Sequence, residues 1–195
     1  MEACLRADGH RLIAGVDEVG RGSLAGPVVA AAVILPPTCA IQGVRDSKLL
    51  SARRREQLDA AIRAEATAVG FGVVQEEMID ALNILQATML AMQLAIDALN
   101  PPPGFVLIDG NQSPCCAIPH RVIPSGDRLC FSISAASILA KVARDRIMLA
   151  YDLALPHYGF GRHKGYGTSE HLSAVAQFGV SPIHRKSFKG VREYV

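Results

Sequence analysis

Four carboxylates in this 195-residue chain stand where charge is costly to leave without a partner. Asp17 and Glu18 close an apolar run that begins at Ile13, and Asp109 closes the run Phe105-Val106-Leu107-Ile108. Asp127 follows a further short stretch, His120 to Pro124, in a similar setting. If the strands ending in Asp17 and Asp109 are neighbours, their carboxylates meet at one sheet edge. Each then raises the others' pKa unless a cation neutralises them. Oxygen-only ligands, with no paired His or Cys spacing nearby, select a hard ion such as Mg²⁺ or Mn²⁺. Two such ions, roughly 3.5–4 Å apart, suit phosphodiester hydrolysis. A single acid can instead cap a helix or pair with an arginine. That alternative stays open at Asp127, and Asp145, between Arg144 and Arg146, is a rival fourth acid that reads as a structural ion pair.

The elements that must carry these acids follow from pattern. His10–Asp17 and Val28–Leu35 read as strands, the second so uniformly apolar that both faces are covered. Asp46-Ser47-Lys48 lies in a polar loop that closes on Ser51, a good N-cap for a helix over Ala52–Ala68. Arg53, Arg54 and Arg55 crowd that helix start against the macrodipole, which leaves room for a phosphate-facing role. A short strand over Val69–Gln75, a helix over Asn83–Leu99 and strands at Phe105–Ile108 and His120–Pro124 come next. The longest helix is expected over Phe131–Leu155, its early Ser134, Ala135, Ala136 and Ser137 small enough to approach a sheet closely. The three early strands suit an antiparallel meander and the later two parallel addition. Alternation sends Asp17 and Glu18 to opposite faces of a regular strand, so Glu18 is expected where the strand bends.

Gly20-Arg21-Gly22 follows the acid pair, and two glycines let backbone approach a ligand closely. Tyr166, between Gly165 and Gly167 in a basic loop, is poorly placed to be core. Net charge is only +2, but residues 141–195 hold 9 Lys/Arg against 4 Asp/Glu while residues 1–140 hold 11 against 14. A basic tail beside an acidic body fits a polyanion clamp next to a cation site. Five cysteines, odd in number and without C-x-x-C spacing, read as reduced thiols of a cytoplasmic protein. The N-terminus lacks a secretory pattern, and the longest apolar run is too short and broken to span a bilayer.

Asp17-Glu18-Val19-Gly20-Arg21-Gly22 resembles the signature of the type 2 ribonucleases H, specifically the bacterial ribonuclease HII group. His163-Lys164-Gly165-Tyr166-Gly167-Thr168, Asp46-Ser47-Lys48 and His184-Arg185-Lys186-Ser187-Phe188 match further family segments in order. The resemblance implies an α/β fold of the ribonuclease H-like kind: a mixed five-stranded sheet flanked by helices, with a C-terminal helical and loop extension. One domain over 1–195 is expected, with a catalytic core over about 1–150 and a basic substrate-binding extension over about 151–195. Carried over residue by residue, the metal and catalytic acids are Asp17, Glu18, Asp109 and Asp127. Gly20, Arg21 and Gly22 address the ribose at an RNA–DNA junction, Tyr166 the nucleotide there, and Lys48 a phosphate. Ser125 stands where many relatives carry a lysine, which weakens one phosphate contact and leaves the metal site alone.

The implied activity is hydrolysis of the RNA strand of RNA–DNA hybrids and nicking 5′ of single ribonucleotides in duplex DNA. Mg²⁺ or Mn²⁺ serves as cofactor, with no obligate protein partner and a monomeric state expected. A non-catalytic hybrid-binding module would lack one of the acids, and none is missing. A nucleotide-binding enzyme is disfavoured because Gly20-x-Gly22-x-x-x-Gly26 is one residue off the dinucleotide fingerprint and no P-loop arrangement occurs.

Overall fold

The computed structural model describes residues 1–44 and 50–195. In chain order the elements are helix α1 (Glu2–Ala7), strands β1 (Ile13–Val19) and β2 (Val28–Ile34), helix α2 (Ala52–Glu65), strand β3 (Ala68–Val74), and helices α3 (Glu76–Leu82) and α4 (Ile84–Asp97). Strands β4 (Phe105–Asp109) and β5 (His120–Ile123) follow, then helices α5 (Gly126–Leu129), α6 (Phe131–Ala154), α7 (Phe160–His163) and α8 (Ser169–Phe178). The sheet order is β3-β2-β1-β4-β5. β1, β2 and β3 form the antiparallel meander, and β4 and β5 add in parallel on the other side of β1. This is the mixed five-stranded sheet the sequence implies.

Every residue of β2 is buried because helices cover both sheet faces. Ala30, Ala32 and Ile34 face the α4 side with Ala87, Ala91 and Met92, while Ala31 and Val33 face α6 through Ala135, Ala136 and Leu139. Glycines set how closely these helices approach. A Cβ on Gly72 would lie 1.9 Å from the Ala91 carbonyl oxygen, and one on Gly70 2.1 Å from that of Ala95. On the other face, a Cβ on Gly15 would lie 2.2 Å from the Ser132 backbone. Backbone therefore packs against backbone at both contacts, and α6 is held close to β1 just before the acid pair.

Helices α1 and α3 were not expected. Each is under eight residues, too short for a helical repeat to stand out from the sequence. α1 brings Glu2 Oε1 to the backbone N–H and hydroxyl of Ser132, both 3.0 Å away, so a carboxylate caps the start of α6. α3 runs into α4 through Asn83, whose φ of 73° breaks the helix and whose Oδ1 accepts from the N–H groups of Leu85 and Gln86. α2 stops at Glu65 because Ala66 turns extended to enter β3. β1 starts at Ile13 and continues two residues beyond Asp17. The Asp46-Ser47-Lys48 segment, with Lys48 as an expected phosphate ligand, lies outside the described residues. Among the described residues, no helix is long and apolar enough to cross a membrane.

Candidate active site

Parallel pairing of β1 with β4 delivers the first two acids together. Val16 pairs with Ile108, and Asp17 and Asp109 are the next residue on each strand. Gly15 faces α6, so Asp17, two residues on, faces it too, where the Ser137 hydroxyl hydrogen-bonds to its carboxylate. The Glu18 N–H donates to Asp17 Oδ1 at 2.8 Å. Glu18 does not reach the site through a bend. It pairs in register with Ala30, and Val19 pairs with Val29 beyond it. It stands on the opposite face, next to the strand's end, where Arg21 holds its Oε1 at 3.4 Å.

Burial, followed by repulsion from Glu18 and Asp109, pushes the Asp17 carboxyl well above the ordinary carboxylate range. Glu18 is also raised, chiefly by burial; Arg21 opposes this and Asp109 adds to it. Asp17 and Glu18, whose charge burial and the nearby Asp109 both disfavour, form a site to which a cation adds stability. All the donors are hard oxygens, so the residues fit a divalent ion such as Mg²⁺ or Mn²⁺. Among the described residues, no three His, Cys, Asp or Glu side chains close around a single point. A nuclease site needs no such cage, because Mg²⁺ is typically held by one or two carboxylates, with water and substrate phosphate completing its shell.

Asp127 sits in the single turn of α5, buried and outside the cleft lining. Its carbonyl oxygen accepts from the Ser134 hydroxyl, and the N–H of neighbouring Gly126 donates to Asp109 Oδ1 at 2.6 Å. Asp127 is thus tied to the acid group through the backbone of its own turn. Asp145 is an ion-pair residue, as its setting suggested, but with neither flanking arginine. It bonds Lys141 at 2.7 Å and lies 3.8 Å from Arg55. Lys141 and Arg55 both line the cleft, so Asp145 tethers two of its cations.

The cleft, of about 430 Å³, is walled by Asp17, Glu18, Asp109, the Gly20–Gly22 segment, Ser137, Arg55, Lys141 and Tyr166. Tyr166 is 36 % exposed, its ring open on the cleft and 5.7 Å from the Arg144 guanidinium carbon on another side. The loop carrying it is stitched to residues 23 and 24: Ser23 bridges Tyr166, and the Leu24 N–H donates to the Gly165 carbonyl at 2.8 Å; Ala25 bridges His184 in the segment after α8.

Two wholly buried arginines complete this stitching: Arg185 lies in a segment that matches the family, Arg144 beside Asp145, and the sequence assigns neither of them this role. Arg144 donates to the carbonyls of Ala25, Pro27 and Lys164; Arg185 donates to those of Gly20, Arg21 and Gly26. Burial, then the neighbouring Arg144 charge, lowers the Arg185 pKa, while buried Glu76 acts in the opposite direction. An arginine with carbonyl partners has no sequence signature, since any residue supplies a carbonyl. His184, next to Arg185, lies in a buried histidine group away from the acids.

The chain superposes on the ribonuclease H2 of Pyrococcus horikoshii OT3 with a TM-score of 0.77, 25% identity, and coverage of 94% of this chain and 96% of that one. It also superposes on Bst-RNase HIII in complex with Mn²⁺, with a TM-score of 0.72 and 19% identity over 94% of this chain and 68% of that one. The fold is ribonuclease H-like. The Ribonuclease HII family model matches residues 14–191, and the Ribonuclease HII of Syntrophotalea carbinolica is 50% identical over 100% of this chain and 93% of its own length. The chain belongs to the ribonuclease HII family and is a metal-dependent endoribonuclease.

Proposed function

We propose that this enzyme hydrolyses the RNA strand of RNA–DNA hybrids and nicks duplex DNA 5′ of a single embedded ribonucleotide. It leaves 5′-phosphate and 3′-hydroxyl ends. The observation that carries the reading is the side-by-side delivery of Asp17 and Asp109, next to the Gly20–Gly22 segment and Tyr166 in one cleft. Asp17, Glu18, Asp109 and Asp127 would hold two divalent ions, Mg²⁺ or Mn²⁺. The bound ions supply a water acidified for attack and charge neutralisation at the scissile phosphate.

The rest of the work belongs to the chain. Ser137 and the Glu18 N–H hold the Asp17 carboxylate in one orientation. Lys141 and Arg55 provide positive charge along the cleft wall for the phosphate backbone. Backbone groups at Gly20, Arg21 and Gly22 approach the ribose, whose 2′-hydroxyl can both donate and accept and so separates RNA from DNA. Tyr166 offers its ring to the sugar or base at the junction. The basic stretch 151–195 is the substrate-facing extension, acting as a monomer.

The test is cleavage of a labelled DNA duplex containing one ribonucleotide, with Mg²⁺, with Mn²⁺ and with chelator, against an all-DNA control. A metal-dependent nick on the 5′ side of the ribonucleotide is expected. Cleavage confined to long hybrids would remove the junction reading. Tight binding without cleavage of either substrate would favour the hybrid-binding alternative.

A further inference from the structure

Three histidines lie together behind the Tyr166 loop, away from the acids. The rings of His163 and His171 stack at 4.4 Å, and His171 Nε2 lies 3.0 Å from His184 Nε2. Two nitrogens facing each other at hydrogen-bond distance require one bare and one protonated, and the surrounding partners decide which. The Ser181 N–H points at His184 Nδ1 from 3.0 Å, so that nitrogen accepts. The Ser181 hydroxyl, 2.6 Å away, donates to the same atom. A neutral His184 ring then carries its proton on Nε2. At the other end, His171 Nδ1 lies 3.0 Å from the Tyr166 carbonyl oxygen, which can only accept. His171 therefore carries its proton on Nδ1, leaving its Nε2 bare to receive the His184 proton.

Every bond in this chain points the same way: Ser181 N–H to His184, His184 Nε2–H to His171, His171 Nδ1–H to the Tyr166 carbonyl. Burial holds both rings neutral, pulling His184 down to about 4 and His171 below its ordinary value. The same carbonyl accepts the Thr168 N–H at 2.8 Å, and the Tyr166 N–H donates to the His163 carbonyl at 3.0 Å. His184 also bridges Ala25, in the strip that continues from the Gly20–Gly22 segment.

We propose that His171 and His184 are positioning residues that act through the Tyr166 backbone, fixing the tautomer pair and with it the pose of the Tyr166 ring over the cleft. This rests on the reading of Tyr166 as a substrate contact. Neither histidine touches substrate or metal; each acts by orienting the next group in line, so both matter most where the ring matters most, at the ribonucleotide.

Nitrogen-15 correlation spectra of the full-length protein at neutral pH test the geometry directly. A His171 ring protonated on Nδ1 and a His184 ring protonated on Nε2 are expected; the same tautomer at both rings, or a protonated pair, overturns the proposal. Kinetics test the consequence. His171→Leu removes the donor to Tyr166, and a roughly tenfold loss in kcat/KM on the single-ribonucleotide duplex is expected, the scale of one hydrogen bond. His171→Asn places an amide N–H close to where Nδ1–H stood and should recover most of that loss.

In a Tyr166→Ala background, His171→Leu should cost nothing further, because a residue acting through Tyr166 has nothing left to act on. A full and additive loss in that background would mean a merely structural histidine and overturn the proposal. Failure of the underlying reading is distinguishable: there, Tyr166→Ala alone would leave cleavage unchanged. Should His171→Leu fail to fold, the tautomer spectra of the unaltered protein decide.

Discussion

Arg185 Nη2 donates to the Gly20 carbonyl oxygen at 2.7 Å, joining residues 165 apart in sequence. The same nitrogen reaches the Gly26 carbonyl at 2.7 Å, Nε the Gly26 carbonyl at 2.9 Å and Nη1 the Arg21 carbonyl at 3.0 Å. One planar fork therefore holds both ends of the loop that follows the acid pair. A lysine cannot reproduce this, because it is a point charge without the fork's fixed directions.

Arg185→Met should destabilise the protein by about 3 kcal/mol, since buried carbonyls at Gly20, Arg21 and Gly26 lose their donor. Arg185→Lys should restore part of the stability but not the loop geometry, leaving kcat/KM roughly tenfold down on a ribonucleotide-containing duplex. Urea unfolding midpoints alongside steady-state cleavage separate the two effects. Full activity in the lysine variant would show that the fork does not set the loop.

Gly20 and Gly22 flank Arg21 but face different constraints. Gly20 has a φ of +95°, and a Cβ there would lie 2.2 Å from Arg144 Nε and 2.9 Å from the Pro27 carbonyl oxygen. Gly20→Ala should cost about 2 kcal/mol and loosen the loop. A Cβ on Gly22 meets nothing within 4 Å. Gly22→Ala should leave stability within about 0.5 kcal/mol of the parent, as for a surface change. If backbone at Gly22 approaches the ribose, the same variant loses cleavage by roughly tenfold or more while melting normally. A Gly22→Ala enzyme that cuts as well as the parent would take Gly22 out of the ribose contact.

The strand-end positions of Asp17 and Asp109 are legible in local pattern, whereas the pattern makes the mixed sheet only one plausible arrangement and the family resemblance makes it specific. A buried strand that ends in a carboxylate shows in five or six residues, and the order of strands and helices between Asp17 and Asp109 suits parallel pairing. The misses are of another kind. Glu18 is expected at a bend, reaching the site from a different side; the side is as expected, but there is no bend, because Glu18 pairs in register with Ala30. It reaches the cleft from the opposite face, close to the point where strand pairing ends. Arg144, Arg185 and the His171–His184 pair bond to backbone carbonyls or to each other across many residues, and no spacing rule announces such partners. Asp145 was read correctly as an ion-pair residue, yet its partners Lys141 and Arg55 come from one helical turn back and from another helix.

Acid should weaken the protein through its buried histidines. The folded-state pKa of His184, about 4, lies below its unfolded value near 6.5. The unfolded chain therefore binds a proton that the folded chain refuses throughout the interval between them. The contribution to stability is complete above pH 6.5 and is lost as pH falls toward 4; His171, also lowered, acts in the same sense. Between pH 7.5 and 4.5 the parent should lose about 2 kcal/mol more than His184→Gln, which has no titrating ring. Parallel stability curves for the two proteins across that range would show that His184 is not held neutral by the fold.

Asp17 carries the opposite electrostatic sign, and its removal should separate function from stability. Its carboxylate is destabilised by burial and by Glu18 and Asp109. In the presence of chelator, Asp17→Asn relieves that repulsion without changing side-chain size, so the urea midpoint should rise above that of the parent. Divalent metal then stabilises the parent, by binding its folded state, more than it stabilises the variant. Cleavage should fall by roughly a thousandfold or more, the scale seen when charge stabilisation at a reacting centre is removed. Circular dichroism melts with and without Mg²⁺, set beside cleavage rates, read all three. A variant that keeps its cleavage rate would remove Asp17 from the metal site. One that loses activity together with its fold would make Asp17 a structural acid, whatever its place beside Asp109.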